Sequence, residues 1–342
     1  MRRRDFMAGS AATAALSVAG WPVRAETNAQ SSVPKRIALV SPSERPEGMT
    51  INGSRGFRAY FQELNRRGYI EGKNLIVERY SALGQPERHE EIARAVVGSH
   101  PDLIVPLSNA LARQFKPLTG TIPIVAATAD PVAAGIITNM AKPDGNITGV
   151  STDAGLEVYG KRLQFLVETA RRLAKVRFLM TPTTRWLWET TALESLRDAA
   201  ARADISIDAV LLSTPIDQGA YELVFYTMER DRVDGLIVND AADHLTHRQL
   251  IADLAARYRL PAIYPFRIFV DVGGLLSYGI DLVDMLRRLA VMTAAILGGA
   301  KPGEIPYYQM THFDLVLNRK TARSLGLDFP PTLLAAANEV IE

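Results

Sequence analysis

Cysteine is absent from all 342 residues. That excludes disulfides, thiolate zinc sites, cysteine nucleophiles and iron–sulfur clusters, and with them any lipid anchor attached through cysteine. An excess of either charge is lacking too. Thirty-nine Lys and Arg stand against 37 Asp and Glu, and the formal +2 is too small for a nucleic-acid footprint, so no nucleic-acid partner is expected. Neither of the two longest apolar stretches, Ala8 to Gly20 and Leu289 to Ala300, approaches the ~18 to 20 residues a membrane span requires. Cofactor and catalytic signatures are missing as well. No G-x-G-x-x-G follows the first strand and no G-x-S-x-G elbow occurs. Gly68-Tyr69-Ile70-Glu71-Gly72-Lys73 superficially evokes a phosphate loop, but the glycines are too close together and the segment follows a helix and precedes a strand. No cofactor is expected.

What is present is ordinary globular composition, 47% hydrophobic and 22% charged, at a length that suggests about two domains. The first 25 residues read as an address. A basic head, Arg2-Arg3-Arg4-Asp5-Phe6-Met7, leads into a small-residue apolar stretch that ends at Val23-Arg24-Ala25. Paired arginines followed by Phe6 resemble the twin-arginine export signal; a plain secretory signal is the alternative. Cleavage is expected after Ala25, which removes four arginines and one aspartate and leaves a mature chain at −1. A periplasmic location without a lipid anchor follows. Glu26 to Val33 reads as a polar arm, and Leu289 to Ala300, ending in Gly298-Gly299, as a core helix with a glycine stop.

From Pro34 onward, short β-branched runs alternate with segments of 3.6-residue periodicity, the pattern of βαβ units and parallel sheets. The predicted strands are Arg36 to Ser41, Leu75 to Tyr80, Asp102 to Leu107, Ile122 to Ala127 and Ile147 to Ser151. A second set runs Lys175 to Met180, Ser206 to Leu212, Gly235 to Asn239, Pro261 to Tyr264, Leu275 to Tyr278 and Asp314 to Asn318. Leu103-Ile104-Val105 and Leu236-Ile237-Val238 are apolar on consecutive residues, as strands covered on both faces are. One helical face carries Leu156, Tyr159, Leu163, Leu166, Val167 and Ala170. Turn residues at Pro143-Asp144-Gly145-Asn146 mark a seam, so the chain reads as an α/β protein of two doubly wound parallel-sheet lobes.

Such folds place ligands at the carboxyl ends of their strands. Those ends are rich in small hydroxyl, amide and acid groups here: Ser41-Pro42-Ser43-Glu44, Ser108-Asn109, Thr128-Ala129-Asp130-Pro131, Thr181-Pro182-Thr183-Thr184, Asn239-Asp240 and Tyr264-Pro265-Phe266-Arg267. Ser108 or Asn109, and Asp130 with Pro131 behind it, are expected to open helices whose N-termini would suit a carboxylate. Capping alone would explain the same residues. Asp240 is the candidate partner for a ligand ammonium, or else a cap for a helix from Asp243 onward. Tyr264, Phe266 and Tyr278 could wall an apolar ligand group or pack in the core. Trp186 and Trp188 read as helix residues. His244 and His247, beside Asp240 and Asp243, are a weak metal candidate without a third ligand at a recognised spacing.

The chain resembles the ABC-transporter substrate-binding proteins of the tryptophan- and tyrosine-uptake type, which have a type I periplasmic binding-protein fold. The resemblance rests on Gly68-Tyr69-Ile70-Glu71-Gly72-Lys73-Asn74-Leu75, Thr121-Ile122-Pro123-Ile124-Val125, Asp130-Pro131-Val132 and Asn146-Ile147-Thr148-Gly149-Val150. It continues through Pro261-Ala262-Ile263-Tyr264, Gly273-Gly274-Leu275-Leu276-Ser277-Tyr278-Gly279, Asn318-Arg319-Lys320-Thr321-Ala322, Leu325-Gly326-Leu327 and Pro330-Pro331-Thr332-Leu333-Leu334. It implies a three-segment hinge near Ser151-Thr152-Asp153, Ser277-Tyr278-Gly279 and Tyr307 to Thr311. The lobes are then 34–151 plus 278–308, and 152–277 plus 309–342, after a 1–25 signal peptide. A ligand would lie between Ser41, Ser43, Ser108, Asn109, Thr128 and Asp130 on one side and Asp153, Thr181, Thr184, Asp240 and Tyr264 on the other, with Tyr278 at the crossing. The implied function is capture of an amino acid or related carboxylate or aromatic solute by a monomer, which hands it to an inner-membrane ABC permease and its cytoplasmic ATPase. No bond is made or broken. The competing reading is a periplasmic metal-assisted hydrolase using Asp240, Asp243, His244 and His247; a repressor's sensor lobe fits poorly with an export signal in the place of a DNA-binding helix pair.

Overall fold

The computed structural model describes residues 33–153, 155, 157–170, 172–185 and 193–342. The export signal, Leu156 and the Trp186 to Trp188 segment lie outside the described residues. The first sheet is built from β1 (Lys35–Ser41), α1 (Arg55–Arg66), β2 (Leu75–Ser81), α2 (His89–Gly98), β3 (Leu103–Pro106), α3 (Asn109–Phe115), β4 (Ile124–Thr128) and β5 (Ile147–Ser151). The chain then enters a second sheet through α4 (Glu157–Thr169), β6 (Lys175–Met180), α5 (Glu194–Arg202), β7 (Ser206–Leu211), α6 (Gln218–Arg230) and β8 (Gly235–Val238). It continues with α7 (Ala242–Thr246), α8 (Arg248–Arg257), β9 (Ala262–Tyr264), α9 (Arg267–Asp271) and β10 (Leu276–Ile280). α10 (Leu282–Leu297) and β11 (Tyr308–Gln309) return to the first lobe, and β12 (Phe313–Asn318), α11 (Arg319–Ser324), α12 (Pro331–Ala336) and β13 (Glu339–Ile341) finish the second.

The strand orders are β11-β5-β4-β3-β1-β2 and β13-β12-β10-β9-β8-β6-β7. β3 and β8 are buried along their whole length, as their unbroken apolar runs require. The first sheet is parallel throughout, whereas β12 runs antiparallel to β10, pairing Leu276 with Leu317 and Ile280 with Phe313. A parallel neighbour needs a crossover to carry the chain back to its starting end; β12 instead arrives directly from the other lobe and enters from the opposite end. The chain leaves the first sheet after Ser151, so the turn at 143–146 only precedes β5. The second passage follows Ile280, because β10 stays paired with β12 to that residue.

α10 joins the first lobe by packing on α1. Gly56 permits it: a Cβ there would lie 2.5 Å from Leu286 Cδ1. Tyr60 and Thr293 share a buried hydrogen bond of 3.2 Å between the same helices. The helix starts on the Asp281 carboxylate, which accepts from the Val283 N–H, and stops at Gly298 and Gly299. No helix among the described residues is long and apolar enough to cross a membrane.

Candidate functional site

In each sheet the strand order reverses direction once, between β1 and β3 in the first and between β6 and β8 in the second, and a crevice opens at such a point beyond the carboxyl ends. Ser41 and Ser108 flank the first crevice; Thr181 and Asn239-Asp240 flank the second. The two lobes meet at these ends. Gly84, in the loop after β2, lies so close to Thr246 at the end of α7 that a Cβ on it would be 2.9 Å from the Thr246 hydroxyl oxygen.

Most hydroxyl and acid groups on the first-lobe side are engaged by their own backbone. Ser41 Oγ accepts from the N–H groups of Ser43, at 3.2 Å, and Glu44, at 2.8 Å. Ser108 Oγ caps α3 through the Leu111 N–H, and Asn109 Oδ1 accepts from the Ala129 N–H at 2.8 Å, tying two strand ends together. Asp130 Oδ1 accepts from Val132 and Ala133, both at 2.9 Å, but a turn follows it and no helix does. The segment closes on itself through Ile136 N–H to Pro131 O, with Gly135 at φ +68°, and so cannot propagate a helix. The expected convergence of two helix N-termini therefore reduces to the single short α3. Thr128 is buried and hydrogen-bonds the Tyr307 hydroxyl at 2.9 Å, and burial raises the Tyr307 phenol above its usual range. Asp153 Oδ1 accepts from the Gly155 N–H, while its carbonyl accepts from the Gln309 amide next to the third passage.

Across from these, Thr181 and Thr184 form a reciprocal capping box around the turn Pro182–Thr184. Asn239 donates to Thr184 Oγ1 at 2.7 Å and accepts from the Ala241 N–H, so the ends of β6 and β8 are joined side chain to side chain. Asp240 caps nothing: α7 begins at Ala242 with Ala241 as its cap residue and no side-chain bond. Its carboxylate is held by Arg162 of α4, Nη1 to Oδ1 and Nη2 to Oδ2, the latter at 3.2 Å. The Arg162 side chain is 0% exposed and that of Asp240 31%.

The two tyrosines read as ligand walls are engaged elsewhere. Tyr264 is buried and its ring stacks on Phe269 at 5.1 Å. Tyr278 packs edge-on against Phe165 at 5.0 Å and lines a groove of about 740 Å³ along α4 and α5 that no other candidate residue reaches. Both sit on strands whose side chains alternate between faces: Tyr264 takes the buried core side, and Tyr278, on the opposite face, is partly buried beside Phe165.

The four residues considered for a metal are not gathered around a point. Asp240 faces Arg162; His244 Nδ1 bonds the Tyr221 hydroxyl at 2.8 Å; His247 Nδ1 lies 3.2 Å from the Asp243 carbonyl. Burial pushes His244 down to about 3, so its ring is neutral at physiological pH. Among the described residues no three His, Asp or Glu side chains are grouped as ligands. The hydrolase reading loses its constellation on these positions.

Sequence reasoning missed Arg162, Tyr307 and the Gly84–Thr246 approach. Arg162 did leave a signal. It falls three residues after Tyr159 and four before Leu166, on the apolar face of its helix, where a charge must find a partner.

The sequence pattern of ABC transporter substrate binding proteins matches residues 55–341. The tyrosine-binding protein of Clostridioides difficile strain R20291 is 22% identical over 273 residues, covering 79% of this chain and 76% of that protein. A conserved domain protein of Vibrio cholerae superposes with a TM-score of 0.77 at 24% identity, over 90% of this chain and 99% of that one. The ABC domain from Streptococcus pneumoniae in complex with L-Trp gives 0.77 at 20% identity, over 90% and 100%. At these identities the two structures show a shared fold.

Proposed function

The chain belongs to the family of ABC transporter substrate binding proteins, and from that premise we propose that it captures a small ammonium-bearing carboxylate, with aromatic amino acids as the leading class, between its two lobes. The observation that carries this reading is the partly exposed Asp240 side chain at the reversal point of the second sheet, next in sequence to Asn239, which binds Thr184. An aspartate at a strand end answers an ammonium; the hydroxyl and amide groups around it answer a carboxylate. The names of the relatives agree with that class: one is a tyrosine-binding protein, another was crystallised with L-Trp.

Closure supplies the mechanism. The chain passes between the lobes after Ser151, after Ile280 and after Gln309, and short passages of this kind act as a hinge. A ligand that touches both lobes makes contacts in the closed form that it lacks in the open one, and it favours closure by that difference. The closed form is then handed to a membrane permease, outside the cytoplasm, where family members of this kind work. Export on the twin-arginine signal with cleavage after Ala25, a location in the periplasm and a monomeric state complete the proposal. Calorimetry and heat-shift measurements on the mature chain, against L-tyrosine, L-tryptophan, the other amino acids and aromatic carboxylates, are the test. Binding within that panel is expected, and silence across it would overturn the reading.

A further inference from the structure

We propose that Arg162 is a positioning residue for the ligand: it orients the Asp240 carboxylate toward the ligand's ammonium and couples that carboxylate to the strand leading into the second passage between the lobes. The inference rests on the reading of Asp240 given above. Arg162 is among the largest fully buried side chains of the described residues, and its hydrogen bonds reach two other elements of the second lobe. Nη1 and Nη2 donate to the two Asp240 oxygens, Nε donates to the Tyr278 carbonyl at 2.8 Å, and the guanidinium lies 5.3 Å from the centre of the Tyr159 ring. One planar group thus ties α4 to the end of β8 and to β10, two residues before that strand finishes at Ile280.

A buried ion pair is a poor stabiliser compared with well-packed apolar residues, because both charges lose their water. Its distinctive property is geometry. A guanidinium fork fixes a carboxylate in its own plane, which a lysine's single point charge does not do. Each Asp240 oxygen receives one Arg162 N–H, which leaves further lone pairs on a side chain that is 31% exposed. A free aspartate would rotate about χ1 and χ2; the clamped one presents those lone pairs in one direction. Gly279 allows the approach, since a Cβ there would lie 3.3 Å from Arg162 Nη2 and 2.0 Å from the Pro265 carbonyl oxygen. Asp240, Arg162 and the backbone of β10 therefore move as one piece.

The test compares each amino acid with its deaminated counterpart: L-tryptophan with indole-3-propionate, and L-tyrosine with 3-(4-hydroxyphenyl)propionate. Affinities of the mature wild-type chain, Arg162→Met, Arg162→Lys, Asp240→Asn and the Arg162→Met/Asp240→Asn double variant are measured by calorimetry. The wild type is expected to prefer the amino acid. Arg162→Met should reduce that preference by about ten- to a hundredfold, the scale of one charge-assisted hydrogen bond, with little change for the deaminated partner. Arg162→Lys should fall between, and Arg162→Met should cost nothing further once Asp240 is Asn. A purely structural arginine would weaken both probes equally. Unchanged preference in Arg162→Met, equal losses for both probes, or a wild type without preference for the amino acid would each overturn the inference while leaving solute binding intact. Should Arg162→Met not fold, Arg162→Lys carries the same comparison, with an unchanged preference again decisive against it. If the wild type binds a different amino acid of the panel, the comparison is made with that amino acid and its deaminated counterpart and is decided by the same outcomes; silence across the whole panel defeats the proposed function itself.

Discussion

The approach of Gly84 to Thr246 makes closure of the lobes testable with a single methyl group. Gly84 has φ +77°, follows Leu83 at φ +53°, and is held by its N–H to the Pro42 carbonyl at 2.8 Å, so its loop is tied to the loop after β1. Gly84→Ala introduces two penalties. The left-handed backbone disfavours any side chain by about 1–2 kcal/mol, whether or not the lobes touch. The second penalty exists only where they touch. The new Cβ would lie 2.9 Å from Thr246 Oγ1 and 3.3 Å from its Cγ2, and threonine is too short to swing clear. Overpacking of this kind costs about 1–3 kcal/mol, which becomes a roughly five- to 150-fold weakening of a ligand that binds by closure. Gly72→Ala separates the two penalties, since Gly72 has φ +80° and nothing within 4 Å of its would-be Cβ. Gly72→Ala should lose thermal stability and keep ligand affinity; Gly84→Ala should lose both. Thr246→Ala removes the two atoms in the way, so the double variant should recover affinity while keeping the backbone cost. Calorimetric titration with the tightest-binding solute of the amino-acid panel, together with thermal melts, reads both quantities. Wild-type affinity in Gly84→Ala, or a loss that Thr246→Ala does not relieve, would refute the closing contact.

Two further predictions concern buried groups. The folded chain holds His244 neutral down to about 3, whereas the unfolded chain takes up its proton near 6.5. Protons therefore favour the unfolded state between those values, and stability falls as the pH drops through that window, by about 2 kcal/mol at pH 5 for this group. His89, whose burial also lowers its pKa, acts in the same direction. Thermal melts from pH 7 to pH 4 should show a slope that flattens in His244→Gln, and a slope unchanged by that substitution would discount the assignment. Tyr307→Phe should destabilise by about 1–2 kcal/mol in urea at an unchanged m-value, because it leaves the buried Thr128 hydroxyl without this partner. Adding Thr128→Val should recover most of that loss; additive losses would mean that the pair is not coupled.

The predicted strands lie within two residues of the observed ones, and in the central strands the reason is burial on both faces, which leaves unbroken apolar runs such as Leu236-Ile237-Val238. β11 and β13 are not among those predicted, since two or three residues at a sheet edge carry no period. At the site, the residue types after the strands were readable and their uses were not. Asp130 and Asp240 are both acids that end strands, yet one folds its carboxylate onto its own backbone and the other meets an arginine 78 positions earlier in the chain. For Tyr264 and Tyr278 the sequence left a ligand wall and core packing both open, because a ring at a strand end can serve either face; their contacts with Phe269 and Phe165 appear only in the folded chain.

By itself the sequence determined the absence of thiol chemistry, the doubly wound order of strands and helices, and the set of polar groups available at the strand ends, because all three follow from composition and period. Only the tertiary structure decided which groups meet: Arg162 with Asp240, Asn239 with Thr184, Thr128 with Tyr307, Gly84 with Thr246. Each of these pairs joins residues at least 50 positions apart. Local propensity is blind to such a separation: the first three contacts exist only once the elements of one lobe have assembled, and the fourth only where the two lobes meet.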